Sequence, residues 1–156
     1  VTLLSRYPNL CLLRTFSKAY GLAGLRVGFA VAQPELADGL RKTQVPFSVS
    51  AVAEAAALAA LDSLDEVARR SAEVVAERER MISAVRELGW TVPDSAANFF
   101  WLRADDECRA ALVAAFDEAD ILVRGYPVDG VRITIADAAN NDRVLAVLAA
   151  HPELRR

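Results

Sequence analysis

The chain has 156 residues, of which 54% are hydrophobic and 25% are charged, and its formal net charge at pH 7 is −3. This length allows a substantial hydrophobic core, and the slight acidity gives no reason to propose a nucleic acid as a partner. No apolar run approaches the roughly 18 residues of a membrane span, and the first six residues lack the apolar region of a signal peptide, so we expect no membrane partner.

The cysteines and the histidine give no sign of a disulfide framework or of a metal site. Cys11 falls in a predicted strand and Cys108 at the start of a predicted helix, and two cysteines in such settings favour a reducing, cytoplasmic location. His151 stands alone near the C-terminus. We therefore expect no bound metal ion.

The first part of the chain alternates short apolar strands with helices. The first six residues predict the tail of a helix, and a turn follows at Tyr7–Asn9. Two apolar runs predict strands on either side of a loop that contains glycines. Pro34 opens the next helix, and Ser50 caps the one after it. The predicted strands span 10–14 and 27–32, the predicted helices span 33–42 and 51–61, and residues 45–50 are predicted to be extended.

The second part begins with a long predicted helix. Ser63 and Glu66 have the spacing of a capping box, and Gly89 is placed to end the helix near Leu88. The dense charge at 73–80 is interpreted as a solvated face. The remaining pattern is typical of a small α+β unit. It predicts strands at 90–92, 98–103, 121–124 and 131–135, a helix at 107–120, and a last helix from Asn140 or Asn141 to about Ala150.

One lysine stands where a ligand-binding loop is expected. Only two of the 18 basic residues are lysines, and Lys18 is the one that comes soon after a strand that the sequence predicts to be buried. A lysine can form a Schiff base, which an arginine cannot. The hydroxyls of Thr15 and Ser17, two glycines and Arg26 surround it in the sequence. A lysine that snorkels from a strand end is the alternative explanation, but an amine beside a phosphate cradle suits pyridoxal phosphate.

The same stretch resembles a known family. From Thr15 to Gly28 it reads Thr-Phe-Ser-Lys-Ala-Tyr-Gly-Leu-Ala-Gly-Leu-Arg-Val-Gly, which resembles the Schiff-base segment of fold-type I aminotransferases. The closest resemblance is to histidinol-phosphate aminotransferases and related aromatic aminotransferases. It implies that Lys18 carries pyridoxal 5'-phosphate, that Ser17 and Arg26 hold its phosphate, and that Thr15 assists.

The resemblance also implies a fold and an extent. The fold class is α/β: the C-terminal part of a fold-type I PLP-transferase large domain at 1–62, followed by a small α+β domain at 63–156. No acidic residue before Lys18 can pair with the pyridine nitrogen of the cofactor. We therefore expect the C-terminal part of a longer enzyme that is a homodimer when full length, and we expect this chain to be inactive alone.

Two arginines flank the last predicted hairpin. Arg124 ends one strand, and Arg132 interrupts the apolar alternation of the next and shares a face with Thr134. Two close guanidinium groups are unfavourable without an anion between them. The alternative is that each pairs with Asp129, Asp137 or water.

The surrounding residues again resemble the family. Ile-Leu-Val-Arg followed by Val-Arg-Ile-Thr-Ile is similar to the substrate-recognition segment of histidinol-phosphate aminotransferases. This implies that Arg132 grips the substrate carboxylate, that Arg124 contacts a phosphate end, and that Asn98 lines the site. The compact connection at 125–130 and Ala136, where a glycine is common, depart from the family pattern.

The expected function is amino-group transfer between small amino acids and keto acids, with Lys18 as the base that moves the α-proton. Histidinol-phosphate and 2-oxoglutarate, as in histidine biosynthesis, are the substrates that the resemblance favours. Three alternatives stay open: an aromatic (phenylalanine) aminotransferase, a decarboxylase of a phosphorylated amino acid, and a folded fragment without activity.

Overall fold

The structure is a computed structural model that describes residues 2–155. Val1, which belongs to the predicted helix tail, lies outside the described residues. The chain forms two compact units, Val1–Arg70 and Ser71–Arg156, and the helix α4 (Leu64–Glu87) runs through the division. The boundary between the large domain at 1–62 and the small domain at 63–156 stays a prediction.

The first unit contains a two-stranded antiparallel sheet and three further helices. In the sheet, Cys11 pairs with Ala32 and Thr15 pairs with Gly28. A Cβ atom on Gly28 would lie 2.6 Å from the carbonyl oxygen of Arg14, so only glycine allows the strands to approach this closely. The elements are α1 (Thr2–Arg6), β1 (Cys11–Thr15), β2 (Gly28–Ala32), α2 (Pro34–Thr43) and α3 (Ala51–Leu61).

A small core fixes the loop between the two strands. Phe16 and Val27 are buried together with Ala53 and Ala57 of α3. The predicted cap of α3 is confirmed, because the Ser50 hydroxyl accepts a hydrogen bond of 3.1 Å from the Ala53 N–H.

The second unit is a three-stranded antiparallel sheet covered by helices on one face. The strands are β3 (Phe99–Arg103), β4 (Arg124–Tyr126) and β5 (Gly130–Thr134), in the order β3-β5-β4. The helices α5 (Asp106–Glu118) and α6 (Ala138–Ala150) join α4 in the core. The buried sheet face consists of Phe100, Leu102, Val131 and Ile133. Because side chains alternate between the two faces along each strand, the neighbouring residues lie on the opposite face, outside the core.

Three boundary predictions were wrong for local reasons. Residues 90–92 form no strand, because the Arg86 side chain, not a second strand, binds the Val92 carbonyl oxygen. The strand predicted at 121–124 begins only at Arg124, since Ile121 donates its N–H to Phe116 at the end of α5. The last helix is capped by Asp137, whose carboxylate accepts the Asn140 N–H at 3.0 Å.

Two expectations about α4 were also wrong. The helix begins after Ser63 as predicted, but the Ser63 hydroxyl donates to the Ala59 carbonyl oxygen and forms no capping box. The Glu66 carboxylate instead accepts hydrogen bonds from Arg69 and Arg70. The charged run at 73–80 is only partly solvated, because the side chains of Glu77 and Arg78 are 18% and 12% exposed.

Candidate functional site

The loop that carries Lys18 joins the two strands of the first unit. Phe16 anchors this loop by its N–H to Val27 (3.1 Å) and by its carbonyl oxygen to the Leu22 N–H (2.9 Å). The Lys18 carbonyl oxygen accepts the Gly21 N–H at 2.9 Å, and Gly21 has a φ of 71°, a conformation that favours glycine. These contacts fix the backbone around Lys18 and leave the lysine itself exposed.

The two predicted hydroxyl groups meet directly beside Lys18. The Thr15 hydroxyl donates to Ser17 Oγ at 2.8 Å and accepts the Ser17 backbone N–H at 3.0 Å. Because Ser17 Oγ accepts the Thr15 proton, its own O–H can be directed to a third group. The pair forms a small donor site at the base of the Lys18 loop.

Arg26 stands at the other end of the same loop. It follows a short 3-10 helix at Ala23–Leu25 in a left-handed conformation, with a φ of 53°. Its Nη1 donates to the Ala23 carbonyl oxygen at 2.7 Å, which leaves other N–H groups of this exposed guanidinium for an external anion. A Cβ atom on Gly24 would find no atom within 4 Å, so the loop is open there.

These residues fit pyridoxal phosphate as a ligand. An exposed primary amine, a hydroxyl donor and an exposed guanidinium occur within ten residues of one loop, and the backbone at Gly24 leaves space. An amine can bind the aldehyde, and hydroxyl and guanidinium groups are suited to a phosphate.

The second group of predicted residues lies on the face of the three-stranded sheet that the core does not use. Arg132 is the direct partner of Trp101 on one side and of Arg124 on the other. The Arg132 guanidinium carbon lies 5.4 Å from the centre of the Phe99 ring, and the Arg124 guanidinium carbon lies 5.2 Å from the Tyr126 ring. The Trp101 and Tyr126 rings are 5.3 Å apart. This face therefore combines two cations with an aromatic surface.

Neither arginine pairs with Asp129 or Asp137, the two carboxylates that the alternative explanation named besides water. Within residues 2–155, no ion pair involves Arg124 or Arg132. Asp137 instead caps α6. The Nε atom of Arg132 is buried and has no hydrogen-bond partner among the described residues. Two like charges opposite each other across a strand pair are unfavourable, so this face is suited to an anion.

Asn98 precedes β3 at the same sheet. Its carbonyl oxygen accepts the Ile135 N–H at 2.9 Å, next to the pairing of Phe99 with Thr134. Ser95 closes the preceding turn, because its hydroxyl donates to the Phe99 carbonyl oxygen at 2.7 Å and accepts the Ala97 N–H at 3.1 Å. Asn98 is thus held at the strand entry, half-buried. The predicted residues fall into two groups, one in each unit.

Sequence reasoning missed two polar side chains that organise the second unit. Arg78 contacts the Ala97 carbonyl oxygen at 3.3 Å. Asn141, 1% exposed, binds the N–H and the carbonyl oxygen of Ala136 and also the Glu77 carboxylate. The sequence pattern places Arg78 in a charged run interpreted as a solvated face, and it offers Asn141 only as one of two candidate caps of the last helix. Only a signal from the tertiary fold could have identified their burial.

Comparison with known proteins assigns the family. The profile described as "Aminotransferase class I and II" matches residues 1–148. The chain belongs to the class I and II aminotransferase family. Enzymes of this family depend on pyridoxal phosphate. The resemblance given above is confirmed, as is the fold class.

Individual relatives of this chain support the assignment to the aminotransferase family. An aromatic amino acid aminotransferase of Streptomyces avermitilis is 50% identical over 140 residues, which cover 90% of this chain and 39% of that protein. An aromatic amino acid aminotransferase of Rhodococcus erythropolis is 54% identical over 139 residues, which cover 89% of this chain and 38% of that protein. The solved structure of histidinol-phosphate aminotransferase from Sinorhizobium meliloti, a complex with pyridoxal-5'-phosphate, has a TM-score of 0.83 at 31% identity and covers 94% of this chain and 42% of that one.

The aminotransferase chain spans about two fifths of the length of the curated relatives it matches. Among the helices of residues 2–155, none combines the length and the apolar character needed to cross a membrane.

Proposed function

We propose that the protein transfers the amino group of an aromatic amino acid to a keto acid, with pyridoxal phosphate bound at Lys18. The observation that carries this proposal is the sheet face on which two arginines without carboxylate partners lie beside Phe99, Trp101 and Tyr126. Such a face can bind an anionic group and an aromatic ring together. The names of the relatives that are about 50% identical point to the same substrate class.

Each residue of the Lys18 loop has a role in this proposal. Lys18 Nζ holds the cofactor and, once released, takes the α-proton of the amino acid and later returns it. Ser17 and Arg26 hold the phosphate, and Thr15 orients the Ser17 hydroxyl through their 2.8 Å hydrogen bond. When bound, the cofactor supplies the electron sink for this chemistry.

The arginines of the second unit would select the substrate. Arg132 would bind the α-carboxylate, since its half-buried guanidinium keeps an unpartnered Nε. Asn98, at the entry of β3, would line the same site. An amino acid such as phenylalanine carries both features that this sheet face accommodates.

Arg124 favours a second candidate substrate, histidinol phosphate. It is exposed, has no carboxylate partner within residues 2–155, and lies opposite Arg132. A phosphate group is a good partner for such a guanidinium. The reaction class would be the same, and histidine biosynthesis would be its context.

The test is amino transfer to 2-oxoglutarate by the protein as encoded, including any sequence beyond these residues. Phenylalanine and histidinol phosphate are compared as donors at equal concentration, and glutamate formation and carbon dioxide release are followed. A higher kcat/KM for phenylalanine supports the first proposal, and a higher value for histidinol phosphate supports the second. Carbon dioxide release from phenylalanine without glutamate would mean decarboxylation instead of amino transfer, and formation of neither product would contradict both proposals.

The assembly of the whole protein is also a proposal: a homodimer. Apolar side chains in and around α3 are exposed in the first unit, which supports an interface there. The exposed side chains are Val45, Phe47, Val52, Leu58 and Leu64. Analytical ultracentrifugation of the encoded protein tests this, and a monomer at micromolar concentration would contradict it.

A cytoplasmic location is proposed as well. Neither Cys11 nor Cys108 forms a disulfide bond within residues 2–155, which supports a reducing compartment. Fractionation of cells that express the tagged protein tests this proposal.

A further inference from the structure

Arg78 on α4 is nearly buried although it belongs to a charged run. Its side chain is 12% exposed, and its nearest carboxylate, on Glu79, lies 3.6 Å from Nη2. Its Nη1 donates to the Ala97 carbonyl oxygen at 3.3 Å. The Nε atom is buried and has no hydrogen-bond partner among residues 2–155. The side chain thus reaches from the helix to the turn that precedes β3.

That turn leads directly to Phe99, the residue whose ring the Arg132 guanidinium contacts. The Ser95 hydroxyl accepts the Ala97 N–H and donates to the Phe99 carbonyl oxygen, and these two hydrogen bonds stabilise the turn. Arg78 holds the same turn from outside through the Ala97 carbonyl oxygen. Phe99 presents its ring to the Arg132 guanidinium at 5.4 Å. A displacement of Ala97 would therefore move the ring that supports Arg132.

Stability alone does not explain an arginine at this position. A buried N–H group without a partner is unfavourable, and an apolar residue could cover the turn without that cost. Of the buried side-chain nitrogen and oxygen atoms in residues 2–155, two lack partners, and they are the Nε atoms of Arg78 and Arg132. Both arginines contact the same three-residue segment, Ala97–Phe99.

We propose that Arg78 is a positioning residue for carboxylate binding: it fixes the Ala97–Phe99 segment and thereby the orientation of the Arg132 guanidinium. The inference rests on the proposed function, in which Arg132 binds the α-carboxylate of the amino acid. Arg78 does not contact the substrate in this assignment. It acts through the turn, so its effect depends on Arg132.

Three variants of the encoded protein test the assignment. Arg78→Ala removes the hydrogen bond to Ala97, and Arg78→Lys keeps a positive donor. Arg86→Ala is the matched control, because Arg86 also extends from α4 to a backbone carbonyl oxygen, that of Val92 at 2.7 Å, but holds a different segment. The measurements are kcat and KM for phenylalanine and the inhibition constant of 3-phenylpropionate, with uncharged 3-phenylpropionamide as the comparison.

We expect Arg78→Ala to raise the KM for phenylalanine and the inhibition constant of 3-phenylpropionate about threefold to tenfold, with little change in kcat or in binding of the amide. Arg78→Lys should recover part of this loss, and Arg86→Ala should cause none. In an Arg132→Ala background, Arg78→Ala should add nothing, because residues that act through one contact are not additive.

Other results would overturn the assignment. If Arg78→Ala lowers only the melting temperature, or adds its full effect in the Arg132→Ala background, Arg78 does not position Arg132. If Arg132→Ala changes neither constant while the wild-type protein is active, the carboxylate role of Arg132 fails, and this inference fails with it. A wild-type protein that transfers no amino group would overturn the proposed function first.

Discussion

Arg124 and Arg132 are direct partners across the antiparallel strands β4 and β5, and each guanidinium lies over a different aromatic ring. Directly opposed strand residues lie on the same sheet face at short distance. The rings of Tyr126 and Phe99 attract the two cations electrostatically, but they do not neutralise them. This arrangement keeps two positive charges on a surface that also offers aromatic contact.

The first prediction separates the roles of these two arginines. Arg124→Ala should lower kcat/KM for histidinol phosphate more than for phenylalanine, because only the former carries a phosphate group. A lost charge-assisted hydrogen bond corresponds to about 1.5–3 kcal/mol, which is about a tenfold to hundredfold loss. Arg132→Ala serves as the comparison, since it should impair the reaction with phenylalanine, whose α-carboxylate Arg132 is proposed to bind. Equal losses on both donors for Arg124→Ala would remove the phosphate role from Arg124.

The second prediction concerns covalent attachment of the cofactor. Incubation of the encoded protein with pyridoxal phosphate, followed by borohydride reduction, should place the adduct on Lys18. Lys18→Ala should abolish the adduct and the turnover, whereas Lys42→Ala should keep both, because Lys42 lies at the end of α2, outside the loop that carries Ser17 and Arg26. Peptide mass mapping reads out the position, and an adduct confined to Lys42 would contradict the assignment.

The Lys18 loop could be predicted from the sequence because the residues that define it lie close together in the chain. Glycine at positions 21 and 28, hydroxyls at 15 and 17 and the arginine at 26 all act within one hairpin of 22 residues, Cys11–Ala32. The same holds for the Ser50 cap, which needs only the Ala53 N–H three residues later. Patterns of this range are visible in a single sequence.

Contacts between distant residues were not predictable in the same way. The Trp90 indole N–H donates to the Leu148 carbonyl oxygen at 3.3 Å, so residues 90–92 bury their apolar side chains without a strand. Asn141 meets Glu77 across 64 positions of sequence. No periodicity distinguishes such a residue from an exposed helix cap, because its burial depends on the packing of α4 against α6.

The third prediction tests this buried amide. Asn141→Ala should lower the free energy of unfolding by about 2–4 kcal/mol, because the hydrogen bonds of the buried Asn141 amide to Ala136 and to the Glu77 carboxylate would be lost. Asn140→Ala is the matched control, since Asn140 is exposed and surface substitutions typically change stability by less than 1 kcal/mol. Urea unfolding followed by circular dichroism measures both. Similar decreases in the free energy of unfolding for the two variants would show that the buried Asn141 amide contributes no more to stability than the exposed Asn140.

The last prediction concerns acid stability. The Asp106 carboxylate accepts the Val128 N–H at 2.9 Å and the Arg109 Nε–H at 3.1 Å. The hydrogen bond from the Val128 backbone is the larger cause of a lowered pKa for Asp106, and the bond from Arg109 adds to it. The pKa of Asp137 is lowered in the same direction, chiefly by the Asn140 backbone N–H.

A carboxylate whose pKa is lower in the folded than in the unfolded state contributes stability that is complete above the unfolded value, about 3.9 for aspartate. That stability is lost as the pH falls below this value and through the folded pKa. We therefore expect the free energy of unfolding to decrease from pH 5 to pH 2 and the decrease to be shallower in Asp106→Asn and Asp137→Asn. Asp117→Asn, at an exposed position of α5, is the control and should keep the wild-type slope. Urea titrations at several pH values give these slopes, and wild-type slopes in both test variants would exclude the two carboxylates as the source of acid sensitivity.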